Sequence, residues 1–149
     1  MPELEELYPA AILEHNKRPH NFHAMEAANC QADGYNPLCG DRLTLYLDIQ
    51  GGVIRNASFR GSGCAISQAS ASMLTDVVKG KTANEAEDLF DFFDRLIDPQ
   101  ADPAVELGLP RQLVAFASVR RFPARVACAG LPWQTLHLML NPADDGLAP

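Results

Sequence analysis

Residues 43–49 read LTLYLDI, and this strict alternation constrains the chain more than any other stretch. Leu43, Leu45, Leu47 and Ile49 fall on one face of an extended segment, and Thr44, Tyr46 and Asp48 on the other. This is the pattern of a strand with one side against a core. Gln50-Gly51-Gly52 follows, and VIRNASF (53–59) resumes the strand-like composition, so the spacing predicts an antiparallel hairpin. A hairpin cannot bury its apolar face alone. The remainder of the chain must therefore supply the cover, and it reads as helix.

Residues 3–18 carry apolar positions at Leu4, Leu7, Ile12 and Leu13. Pro9 intrudes, which places the helix start at that proline, and Arg18-Pro19 ends it. Residues 20–38 are rich in Asn, His, Gly and Pro and read as a long loop. Beyond Phe59, Gly61 and Gly63 mark a tight approach, and small residues lead into a helix that stops near Gly80. Thr82-Ala83-Asn84-Glu85 has the form of a capping box and opens another helix, with Leu89, Phe90, Phe93 and Leu96 as its buried stripe. Residues 98–111, with three prolines, read as a surface connection. A last helix carries Trp133, Leu136 and Leu140; Gly130 and Pro132 place its start or a bend just after Cys128. The polar stretch 141–149 reads as a loose tail on a single domain spanning 1–149. The expected class is α+β, with helices stacked on one face of a small antiparallel sheet.

The formal net charge of −7 argues against nucleic acid as a partner, since phosphate backbones are bound by clustered Lys and Arg. No apolar run approaches a membrane span, and the acidic start MPELEELYPAAILEH lacks the order of a secretory signal. A cytoplasmic protein is expected, in which the four cysteines, Cys30, Cys39, Cys64 and Cys128, stay reduced. Metal binding, sulfur chemistry and plain buried thiols then remain as readings. Cys30 reads as an ordinary thiol. Cys39 lies in the turn YNPLCGD, two residues from Asp41 in the same direction of projection. Cys64 follows Gly-Ser-Gly at a helix start, and Cys128 lies near the start of the final helix, where the helix dipole favours thiolate. Three thiolates with Asp41 would suit tetrahedral zinc. The separations of 25 and 64 residues match no zinc finger, so spacing alone leaves the choice open.

YNPLCGD, GSGCAISQASASMLTD with VVKGKT after it, and SVRRFPARVACAGLPW together resemble the U-type iron–sulfur assembly proteins, IscU and SufU. The resemblance runs from about Leu7 to Leu140, with three motifs in order. It implies a three-stranded antiparallel sheet with helices on one face. The SufU branch is the nearer in likeness, because residues 81–120 look like its longer segment, VRRFPAR is similar, and Ala127 stands where the IscU branch has histidine. SufU-like chains usually carry lysine there, and Pro132 stands where the family tends to continue its helix.

What the resemblance implies is a zinc-containing sulfur acceptor that takes persulfide sulfur from a SufS-type cysteine desulfurase and serves a downstream iron–sulfur assembly scaffold. Its ligands would be Cys39, Asp41, Cys64 and Cys128, with Cys39 the sulfur-accepting thiol. A scaffold that assembles and passes on a [2Fe–2S] cluster on the same ligands is the alternative, and a zinc-stabilised structural domain is a third reading. Arg125 would share a helical face with Cys128 and could offset the site's negative charge or steer the partner; a solvated arginine is the plainer alternative. His20 and His23 read as a solvated pair, His137 as a surface or packing residue, and His15 as needing no metal.

Overall fold

A computed structural model describes residues 9–101 and 110–141. Helix α1 (Ala10–Lys17) begins directly after Pro9, as the proline implied; Leu4 and Leu7 lie outside the described residues. Three strands follow: β1 (Cys30–Asn36), β2 (Asp41–Gln50) and β3 (Val53–Ser62). They form one antiparallel sheet in the order β1-β2-β3. Leu43, Leu45 and Leu47 are buried on β2, as the alternation requires. Both turn glycines lie in the left-handed region, Gly51 at φ 59° and Gly52 at φ 78°, which suits a two-residue turn matched to strand twist.

The loop expected over 20–38 is corrected by β1. CQADGYN has little β propensity of its own, so local pattern hid it; ladder pairing with β2, from Cys30 opposite Leu47 to Asn36 opposite Asp41, makes it a strand. Gly34 belongs there because a Cβ would run into the Thr135 hydroxyl, with Leu131 and Leu43 close behind.

The helices cover the sheet. Helix α2 (Ala65–Val78) lies against β3 and is buried almost all round, with Ile66, Ala69, Met73, Leu74 and Val78 in the core. Helix α3 (Ala83–Ile97) is capped as expected: Thr82 Oγ1 accepts from the Glu85 amide at 3.2 Å, and Glu85 Oε1 accepts from the Thr82 amide at 2.9 Å. Thr82→Ala should cost about 1 kcal/mol of stability, read as a lower urea midpoint at unchanged slope. The stripe Leu89, Phe90, Phe93 and Leu96 is buried. A short α4 (Arg111–Val114) runs into a 3-10 segment (Ala115–Arg121) that buries Phe116 and Val119. Helix α5 (Pro123–Leu140) completes the layer, its Trp133 stacked on Phe93 with ring centroids 4.7 Å apart.

The last helix corrects a second expectation. It begins at Pro123, where a proline's missing amide costs nothing, and Gly130 and Pro132 lie inside it. Cys128 is therefore inside α5, which excludes a helix start just after it. The stretch 102–109 of the expected connection and 142–149 of the expected tail lie outside the described residues. No helix of the described residues is long and apolar enough to cross a membrane.

Candidate metal centre

Three elements converge at one end of the sheet. The turn Pro37–Gly40 joins β1 to β2 and carries Cys39 on the surface; Gly40, at φ 72°, allows the reversal. Asp41 opens β2 and is completely buried. Cys64 is the N-cap of α2 and is half-buried. Cys128 comes up from α5 and is fully buried.

One donor atom from each of Cys39, Asp41 and Cys128 lies within 4.8 Å of the other two. Cys128 Sγ is 3.3 Å from Cys39 Sγ. Cys64 is outside that tight group. It is nonetheless near: its backbone amide donates to Asp41 Oδ1 at 2.9 Å, and its thiol is one of the neighbours that raise the Cys128 pKa. Burial is the largest cause of that rise, followed by the nearby Cys39 thiol and Asp41 carboxylate. A thiol so placed resists ionising unless a cation sits beside it.

The other oxygen of Asp41 carries the clearest sign of what the cluster is for. Oδ2 is buried and has no hydrogen-bond partner among the described residues. A buried acceptor left unpaired costs about 1–3 kcal/mol. A soft sulfur pair and a carboxylate, brought together at one end of the sheet, form a donor set that fits zinc. The approach to this carboxylate is tight: a Cβ on Gly63 would stand 2.5 Å from Asp41 Oδ1 and 2.7 Å from Ser67 Oγ. The tight approach expected at Gly63 is present, and the structure adds that the group approached is the Asp41 carboxylate.

Asn36 read only as a turn-former, with no link to the cysteines. It is buried, its Nδ2 donates weakly to Cys128 Sγ at 3.9 Å, and its Oδ1 accepts from the Leu38 amide at 3.2 Å. It thereby ties the Cys39 turn to the buried thiol. The Asn-Pro dipeptide marked a turn, but only the crossing of α5 brings Cys128 to it. Arg125 lies in the first turn of α5, half-buried, so the helical condition for its sharing a face with Cys128 is met.

The remaining singled-out residues lie elsewhere. Cys30, half-buried on the outer strand, has its pKa raised by burial. His23 is exposed, with Nδ1 2.9 Å from the Ala24 carbonyl. His137 packs α5 on α3, stacked on Phe90 at 4.5 Å and paired with Glu87 at 2.9 Å. His20 does not join the cysteines; it lies against α2 beside His15 and Asp76.

The sequence model of the NifU-like N terminal domain matches residues 7–129, and the chain belongs to that family. It is 37% identical to the zinc-dependent sulfurtransferase SufU of Bacillus subtilis over 96% of this chain and 95% of that one. It is 38% identical to the iron–sulfur cluster assembly scaffold protein IscU of Streptococcus pyogenes, over 91% of this chain and 84% of its relative. Among solved structures, FiSufU from thermophilic Fervidobacterium islandicum superposes with a TM-score of 0.82 at 33% identity, covering 93% of this chain and all of that one. The three-stranded sheet with helices packed on one face is thus the SufU/IscU-like fold.

Proposed function

We propose that this chain acts in iron–sulfur cluster biogenesis as a zinc-dependent sulfurtransferase that accepts persulfide sulfur from a cysteine desulfurase. The observation that carries the reading is the pairing of an exposed thiol, Cys39, with a buried carboxylate oxygen and a buried thiol inside one 4.8 Å cluster. Likeness to a SufU sulfurtransferase supports it. Cys39, Asp41 and Cys128 would hold the ion, with Cys64 completing the set. When bound, zinc keeps the thiols deprotonated near neutral pH and protects them from oxidation.

Division of labour follows from position. Asp41 and Cys128 are anchored on a strand and a helix and fully buried, so they hold. Cys39 stands on a glycine-containing turn open to solvent, so it can meet a partner. The Cys39 thiolate attacks the terminal sulfur of the desulfurase persulfide. A new sulfur–sulfur bond forms on Cys39 as the partner's sulfur–sulfur bond breaks, and the desulfurase cysteine leaves as thiolate. No electrons are gained or lost overall, and no external oxidant is required. Arg125, near the start of α5, would moderate the charge of the site. The sulfur would then pass to an iron–sulfur assembly scaffold in the cytoplasm.

Likeness to an IscU scaffold keeps one other reading in play, since the same thiolates suit a [2Fe–2S] cluster. Metal analysis of freshly purified protein separates the two. Stoichiometric zinc, a colourless solution and stimulation of desulfurase turnover are the expected results. A brown protein with iron and sulfide would overturn the sulfurtransferase reading in favour of the scaffold. Zinc without any stimulation would leave only a structural metal.

A further inference from the structure

A second group of metal-ligating side chains lies away from the cysteines. His15 on α1, His20 in the turn that follows, and Asp76 on α2 each offer one donor atom within 4.8 Å of the other two. Asp76 is twelve residues beyond Cys64 along the same helix, about 18 Å at 1.5 Å per residue. The two clusters are therefore separate. From this constellation we propose a second metal site, in which His15, His20 and Asp76 bind a divalent first-row transition ion of the zinc, cobalt or nickel type.

The chemistry of the donors sets the class of ion. Two imidazoles and one carboxylate suit borderline cations, whereas calcium and magnesium prefer all-oxygen sites. The surroundings also hold the donors in place. Ser72 Oγ lies 2.6 Å from His15 Nδ1 and accepts from the His20 amide at 2.7 Å. That partner on Nδ1 holds the His15 ring in place, as partners of ligating histidines commonly do. Burial, reinforced by the neighbouring His20, holds His15 below its ordinary pKa and so in the neutral form that binds metal.

His20 and Asp76 are already joined, Nδ1 to Oδ2 at 2.5 Å, and an ion would take the place of the proton between them. The imidazole rings of His15 and His20 lie 4.3 Å apart at their centroids, an approach that favours one shared cation over two separate charges.

The turn is tied down by hydrogen bonds. Asn21 sits at φ 55°, in the left-handed region, and its side chain donates to Asp76 Oδ1 at 3.1 Å and to Thr75 Oγ1 at 3.0 Å. Lys79 Nζ donates to Asn21 Oδ1 at 2.5 Å, and the Phe59 amide donates to the Asn21 carbonyl at 3.0 Å. The donors thus start in position, so little ordering entropy is lost on binding. His20 is exposed, which gives the ion a way in.

The test uses the full chain and two probes. In a Zn²⁺ titration followed by NMR, the ring resonances of His15 and His20 should shift together. In His20→Ala and in Asp76→Asn the midpoint of that response on His15 should rise at least tenfold, with far-UV dichroism unchanged. Cobalt reports on the two clusters separately: thiolate ligation gives intense near-ultraviolet charge transfer, which nitrogen and oxygen donors do not. Loss of that band would count against the cysteine centre and leave the histidine result standing. Imidazole signals that stay fixed in roughly tenfold excess of Zn²⁺ would overturn the proposal. So would a His15 response with the same midpoint in both variants.

Discussion

Cys39→Ser should lower the stimulation of desulfurase turnover by at least about 100-fold, a barrier increase of about 2.7 kcal/mol. The argument rests on what oxygen cannot do. A serine hydroxyl is not ionised near neutral pH, attacks sulfur poorly and cannot carry a persulfide between two soft centres. Cys39 is exposed on its turn and meets the core only at the Cys128 thiol, so the melting temperature of the metal-free protein should move little. Turnover of the desulfurase with wild type and variant, together with mass spectrometry of the sulfur-loaded chain, checks the result. Stimulation at the native level would mean that another thiol accepts the sulfur.

Asp41→Ala should weaken zinc binding by at least about 100-fold, more than loss of an outlying partner of a ligand usually does. Two things are lost together: the unpartnered oxygen Oδ2, and the acceptor at Oδ1 that fixes the amide of Cys64. The sign of the stability change is informative. Without metal, the variant is relieved of a buried carboxylate oxygen that nothing satisfies but leaves the Cys64 amide unpaired, so its stability should stay close to wild type. With zinc, a 100-fold loss of affinity removes about 2.7 kcal/mol of stabilisation by mass action. Chelator competition gives the affinity, and thermal melts with and without zinc give the difference. Equal zinc affinity in a well-folded variant would remove Asp41 from the ligand set.

Period and punctuation made much of the fold legible. The Leu43–Ile49 alternation and the Gly51-Gly52 turn placed the hairpin, because a half-buried strand and a tight reversal are both local demands. The capping box at Thr82 and the stripe through Phe93 were likewise readable, since helix starts and helix faces are written in neighbouring residues. Strand β1 was not. CQADGYN becomes a strand only because an unpaired edge of β2 stands beside it. The start of α5 was not legible for a related reason: Gly130 and Pro132 read as a start or a bend, and the structure, with Trp133 packed on Phe93, puts them inside a helix begun earlier, at Pro123.

The cysteine cluster divides in the same way. Sequence alone determined the chemical types, a thiol in a turn beside a carboxylate and two thiols embedded in helical contexts, and the motifs around them carried the family resemblance. It could not say how near they come, because separations of 25 and 64 residues are closed by the sheet and by α5, not by the backbone between them. Tertiary structure decided that Cys39, Asp41 and Cys128 meet, that Asp41 Oδ2 is buried without a partner, and that Cys64 stands just outside. It also decided the fate of the histidines. His20 read as solvated in a polar loop, yet Ser72 and Asp76, more than fifty residues away, draw it against His15. Residue identity sets which ligands a chain can offer; only long-range packing sets which of them converge.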